Sequence, residues 1–184
     1  MRKGQISIEY LIIIGVVVFL IVLPSAIFLS SFAQSTIYGA VTSEQAQQLG
    51  EGLTVSAKQV YYLGLYAQKK VSLPMPDNVQ HLMLLRITRN GQDHHYVVVR
   101  IDDGSRAGAS NYFFQSSAPL ISDTNLEGVT YSATGPDFVS ECATYSCSYF
   151  AFEPPITNTG QKQFLLETRN INQQIQVNIL PVIE

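Results

Sequence analysis

Asp93, His94 and His95 stand side by side, and a carboxylate with two imidazoles is a set that could hold a metal ion. Adjacent residues of a β-strand point to opposite faces, so the two histidines do not readily chelate one ion, and the polar end of a hairpin accounts for them better. Asp102 and Asp103 in DDGSRAG resemble a fragment of a calcium loop. The later alternating oxygens and the closing bidentate glutamate of an EF-hand are missing, so no metal site is expected. Serine, histidine and aspartate all occur, yet no G-x-S-x-G elbow exposes a nucleophile and no P-loop cradles a phosphate. Neither an enzyme nor a cofactor is expected. Cys142 and Cys147 in ECATYSC suit neither zinc nor haem attachment, and can close a disulfide in an oxidising compartment. A redox-active dithiol is the alternative, although the spacing is not the CxxC that lowers a thiol pKa. Tyr145, Tyr149, Phe150 and Phe152 gather around the pair, as core or as an outward binding surface.

Strands are needed to position these groups. HLMLLRITR and HHYVVVRID are apolar, β-branched runs joined by NGQD, whose Asn90 and Gly91 favour a tight hairpin turn. NYFFQ, GVTYSA, SYFAFE, KQFLLET and QQIQVNIL add shorter runs. The last alternates Ile175, Val177 and Ile179 with Gln174, Gln176 and Asn178. Upstream, Val41, Leu49, Leu53, Val60 and Gly64 recur near one face at helical spacing. This helix is expected to run to about Lys70, where Pro74 and Pro76 of SLPMP stop it. The predicted fold class is α+β: a long N-terminal helix, hydrophobic and then amphipathic, followed by an antiparallel β-sheet or small β-sandwich head over residues 77–184. A chain of 184 residues with 46% hydrophobic and 14% charged side chains fits one such domain with an apolar appendage. The net charge is −3 and there is no basic stripe, so nucleic acid is not predicted as a partner.

No charged side chain occurs from Tyr10 to Ser43, and every residue from Leu11 to Leu23 except Gly15 is strongly apolar. A span through Leu29 has about the 20 residues that cross a bilayer as a helix. Arg2 and Lys3 flank it, which places that end in the cytoplasm and the bulk of the chain outside. Gly15 and Pro24 interrupt the run; Pro24 removes the bond to the Leu20 carbonyl and is expected to kink or locally melt the helix. Glu9 stands at the edge of the run. A lone carboxylate costs about 2.5–3.5 kcal/mol at the bilayer centre and less near the interface. Among packed helices it stays costly unless an ammonium meets it. Insertion has three outcomes: an uncleaved anchor, cleavage after the run before Gln34, or cleavage ahead of it.

KGQISIEYL resembles the class III signal of archaeal type IV pilins, in which a basic residue and glycine precede a Gln-x-Ser-x-Glu-Tyr pattern and the apolar helix. The matching positions are Lys3, Gly4, Gln5, Ser7, Glu9, Tyr10 and Leu11, and the resemblance covers about the first 30 residues. It implies that a prepilin peptidase removes residues 1–4 by cutting between Gly4 and Gln5. The new ammonium at Gln5 would neutralise Glu9 of a neighbouring subunit and set axial register. Residues 5–30 would form the filament-core helix, with Leu11, Ile14, Val18, Leu20, Val22 and Phe28 among its packing residues, and 31–72 its amphipathic continuation. The implied partners are copies of itself or related pilins, a membrane platform protein and an assembly ATPase. The lipid bilayer holds the precursor, with the head outside, and the mature protein belongs to an extracellular filament serving adhesion or surface attachment. Archaeal pilins are often glycosylated, but this chain has no N-x-S/T sequon. A signal-anchored cell-surface binding protein, or a minor pseudopilin of a Tad-like system, is the alternative.

Overall fold

The computed structural model describes residues 3–105, 108–154 and 156–182, with side chains except at 3–7, 31–39 and 103–105. The chain divides into two compact units, Met1–Val41 and Thr42–Glu184. The fold is α+β, an apolar N-terminal helix followed by a mostly antiparallel β region.

The first unit holds helix α1 (Lys3–Val17), a π-helical turn (Val18–Val22) and the beginning of helix α2 (Leu23–Leu63). In the π turn the Leu23 N–H donates to the Val18 carbonyl, a step of five residues. The cause is Pro24, which has no N–H for the Leu20 carbonyl and whose ring crowds the preceding turn. Widening that turn by one residue relieves the crowding, so the helix resumes through the proline without melting. The Ser25 hydroxyl donates to the Ile21 carbonyl at 2.6 Å, and Ser30 donates to Ile27 at 2.9 Å. These bonds fold the polar groups onto their own backbone and keep the helix surface apolar. Ile8–Ser30 is a 23-residue stretch long and apolar enough to cross a membrane, as an anchor or a signal sequence does. At 1.5 Å per residue it spans about 34 Å, against a hydrocarbon core of about 30 Å.

Among the described residues, the second unit contains the rest of α2 and nine strands. They are β1 (Gln68–Met75), β2 (Val79–Arg89), β3 (Gln92–Ser105), β4 (Gly108–Ser116), β5 (Leu120–Ile121), β6 (Val129–Ser132), β7 (Ser146–Phe152), β8 (Gly160–Ile171) and β9 (Gln174–Val182). One sheet has the order β1-β8-β9-β5 and the other β4-β3-β2-β7-β6. All neighbours are antiparallel except β5 and β9. The predicted hairpin forms as a two-residue turn, with Arg89 opposite Gln92 and both Asn90 and Gly91 at positive φ. A second two-residue turn, Asn172-Gln173, joins β8 to β9 with both residues at positive φ.

The inner faces of the sheets meet in one core, where Phe152 of β7 crosses Phe164 of β8 edge to face at 6.3 Å. The α2 residues Ala46, Leu49, Leu53, Ala57 and Val60 enter the same core at spacings of three and four. Gly50 and Gly52 permit close approach to the edge strands. A Cβ at Gly50 would lie 2.0 Å from the Phe114 ring of β4, and one at Gly52 would lie 2.5 Å from Leu73 of β1. A smaller cluster covers the outer face of β2, β3 and β7, built from Met83, Leu85, Ile87, Val98 and Cys147 under the segment carrying Phe138, Val139 and Cys142. This explains the unbroken run Leu82-Met83-Leu84-Leu85, since β2 is buried on both faces.

The end of α2 differs from the sequence expectation. The helix stops at Leu63 instead of near Lys70, so the expected continuation over 31–72 is too long. Gly64 at φ +90° terminates it, and Tyr66 follows at +65°. The Thr168 hydroxyl donates to the Gly64 carbonyl at 2.6 Å and accepts the Ala67 N–H at 3.0 Å, which fixes the turn. Pro74 lies inside β1, where it is tolerated because β1 is an edge strand. The β region therefore begins at Gln68, ahead of the expected residue 77.

Candidate functional site

Inner-face residues of the five-stranded sheet fall into transverse rows fixed by strand register. One row runs Tyr112, Val99, Leu82, Phe152 and Val129, and the next Phe114, Val97, Leu84, Phe150 and Tyr131. The row after these is polar: Ser116 of β4, His95 of β3, Arg86 of β2 and Ser148 of β7 stand directly across from one another. Apolar alternation thus gives way to hydrogen-bonding groups at one end of the sandwich. A cleft of about 830 Å³ opens there. Its far wall comes from Ile121, Gln174 and Gln176 of the four-stranded sheet, and Tyr61 near the end of α2 also lines it.

Each polar group in the row has a defined partner. The Arg86 Nε donates to Ser148 Oγ at 3.1 Å, and its guanidinium lies 3.9 Å from the Asp93 carboxylate. Asp93 also accepts the Thr88 hydroxyl at 2.6 Å. The Ser116 hydroxyl is engaged with the Ala118 backbone, donating to its carbonyl at 2.8 Å and accepting its N–H at 3.1 Å. His95 Nδ1 accepts the Leu120 N–H at 3.3 Å, which leaves its proton on Nε2. Burial pushes the His95 pKa down to about 4; the Arg86 and His94 charges act in the same direction and Asp93 opposes them. The row therefore carries one cation, matched by the Asp93 carboxylate of the next row, with a neutral imidazole between the hydroxyls. Above it, the Tyr131 ring packs on Phe150 with centroids 5.0 Å apart and is 49% exposed. The site offers donors, acceptors and an aromatic face.

The residues singled out from sequence divide among several places. His94 and His95 take opposite faces of β3, and Asp93 joins His95 in the cleft through its contact with Arg86. Among the described residues no group of three His, Cys, Asp or Glu side chains is placed to hold a metal ion. Asp102 is exposed at the end of β3, and the side chain of Asp103 lies outside the described residues. Cys142 and Cys147 form a disulfide. It lies on the outer face of the five-stranded sheet, beside Gly135, where an added Cβ would fall 2.5 Å from Cys142 Sγ. The aromatic group splits by strand parity: Phe150 and Phe152 face the inner core, while Tyr149 faces the outer cluster and Tyr145 is 39% exposed under the Arg89 guanidinium.

At the N-terminus, Gly4 and Gln5 belong to the first turns of α1, while Met1 and Arg2 lie outside the described residues. Glu9 is exposed on α1. Leu11, Ile14, Val18, Leu20, Val22 and Phe28 are 45–72% exposed in the single chain. Gly15 has nothing within 4 Å of where a side chain would begin. Arg86, Ser116, Ser148 and Tyr131 were not foreseen as a site. Their signal was an apolar alternation, Leu82-Leu84 and Val99-Val97, that ends in a charged or polar residue of the same parity, Arg86 and His95. No protein-family model, curated protein or solved structure matches the chain.

Proposed function

We propose that this chain is a structural subunit of an extracellular type IV pilus-like filament, assembled through its apolar N-terminal helix after cleavage between Gly4 and Gln5. The observation that carries the reading is the combination of the KGQISIEYL motif with a helix whose large apolar side chains face outward along its length. Every large apolar side chain from Ile8 to Leu29 is exposed. Leaving each in water costs roughly 1.5 kcal/mol or more, and the sum exceeds the 5–15 kcal/mol that holds a typical domain folded. The helix needs lipid as a precursor and identical neighbours afterwards. Because bilayer tails are as apolar as leucine, transfer from lipid to a bundle of copies is nearly neutral, and exit into water is strongly opposed. Glu9 then supplies specificity: within a bundle its charge is tolerated where an ammonium meets it, and cleavage creates that ammonium at Gln5.

Sequencing the N-terminus of the mature protein tests the proposal. A chain beginning at Gln5 supports it; one beginning at Met1 points to an uncleaved anchor, and one at Gln34 to a secretory signal. Glu9→Ala is expected to be processed normally but to give few or misregistered filaments, and normal filaments would remove the role assigned to the carboxylate. The alternative, a signal-anchored surface binding protein, is favoured by one feature, the polar cleft between the two sheets.

A further inference from the structure

The cleft is a built feature with a definite chemical character. Its volume of about 830 Å³ falls within the range of about 300–1,000 Å³ typical of small-ligand sites. The row at its floor contains Arg86, whose guanidinium is already directed at Asp93 and Ser148, so no uncompensated cation is available to an anionic ligand. Asp93 is likewise occupied by Thr88 and Arg86, so no free carboxylate is offered to a cation. What remains is a neutral mixture of donors and acceptors on planar side chains, the Arg86 guanidinium, the Asp93 carboxylate and the His95 imidazole. Beside them stands the half-exposed Tyr131 ring on its Phe150 support. A planar polar group can bind two neighbouring hydroxyls at once, and an aromatic ring covers the C–H face of a pyranose. A ligand rich in neutral hydroxyls uses both.

We propose that the cleft between the two sheets binds a neutral saccharide, with the Arg86–Asp93 pair hydrogen-bonding its hydroxyls and Tyr131 stacking on its apolar face. The site is open at one side, as a segment of a longer glycan requires. It lies entirely within the Thr42–Glu184 unit, so the inference holds whether the chain polymerises or remains a single anchored protein.

The test uses the full chain in a sugar-free detergent. Immobilised manno-, gluco-, galacto- and xylo-oligosaccharides serve as neutral probes, with a sulfated disaccharide as the anionic probe and an uncharged Gly-Ser-Gln-Thr peptide as the peptide probe. Saturable binding to at least one neutral oligosaccharide, with Kd below about 10 mM, is expected. Tyr131→Ala and Arg86→Gln, both at exposed positions, are expected to weaken it about tenfold or more, while His94→Gln on the opposite face leaves it unchanged. Circular dichroism of each variant confirms that the sheets persist. The proposal is overturned if no neutral oligosaccharide binds, if the sulfated or peptide probe binds more tightly, or if both cleft variants bind as well as the unmodified chain.

Discussion

His95 makes the β-rich unit sensitive to acid in a way that can be worked out from its surroundings. Its Nδ1 is committed to the Leu120 N–H and its ring is largely buried, so the folded protein holds it neutral, with a pKa near 4 against about 6.5 in an unfolded chain. Between these values the unfolded state binds a proton that the folded state refuses. Stability then rises with pH, and it is lost as pH falls from about 6.5 towards 4. Well above pH 6.5 the group contributes no slope, because neither state is protonated. From about pH 7 to about pH 4.5 the loss works out at about 2 kcal/mol, reaching about 3 kcal/mol once both states are protonated. His95→Asn places an amide oxygen where Nδ1 stands, keeps the Leu120 bond and removes the titration. Urea unfolding of the full chain and of this variant, at both pH values and followed by the β-sheet circular dichroism signal, isolates the term. The unmodified chain should lose about 2 kcal/mol more than the variant on acidification. Equal losses would refute the assignment of the acid response to His95.

Three further perturbations probe the scaffold. Gly50→Ala gains about 1 kcal/mol of helix propensity but drives a methyl into the Phe114 ring, and a net loss of about 1–2 kcal/mol is expected by urea unfolding; a more stable variant would mean that the ring moves aside freely. Replacing both Cys142 and Cys147 by serine should cost about 2 kcal/mol through the unfolded state, and an unchanged urea midpoint would show that the outer cluster alone fixes this segment. Thr168→Val leaves the Ala67 N–H without its hydroxyl acceptor and should cost about 1–3 kcal/mol, with faster hydrogen exchange at Ala67 as the local readout.

Features written in a single contiguous stretch are legible in the sequence. The apolar helix is one such feature, and the Asn90-Gly91 hairpin, whose turn chemistry sits between two alternating runs, is another. The disulfide was foreseen as a possibility from a short loop. Features that depend on distant partners were not. β1 reads as a helix terminator because of Pro74 and Pro76, and its strand character comes only from pairing with β8. Gly64 falls on the apolar face of α2 by its spacing, whereas its positive φ ends the helix. The turn at Asn172-Gln173 escaped notice because it lacks the glycine that usually marks two positive φ values. The polar row is the clearest case. Ser116, His95, Arg86 and Ser148 lie on four strands and become neighbours only through three registers, so no local pattern could have joined them.

The pairing of β1 also governs the order in which the protein can be made. Among the described residues β1 bonds to β8 and to no other strand, and Gln68 and Glu167 at the end of that ladder are 99 residues apart. At roughly 5–20 residues per second, the ribosome needs roughly 5–20 s to supply the partner after β1 has been synthesised. During that interval the ladder edge of β1 and the apolar face of α2 bearing Leu49, Leu53 and Val60 are uncovered, a state that invites intermolecular pairing. Closure is a late, long-range event and correspondingly slow. Nascent chains are therefore expected to pair with one another most readily before the eighth strand arrives.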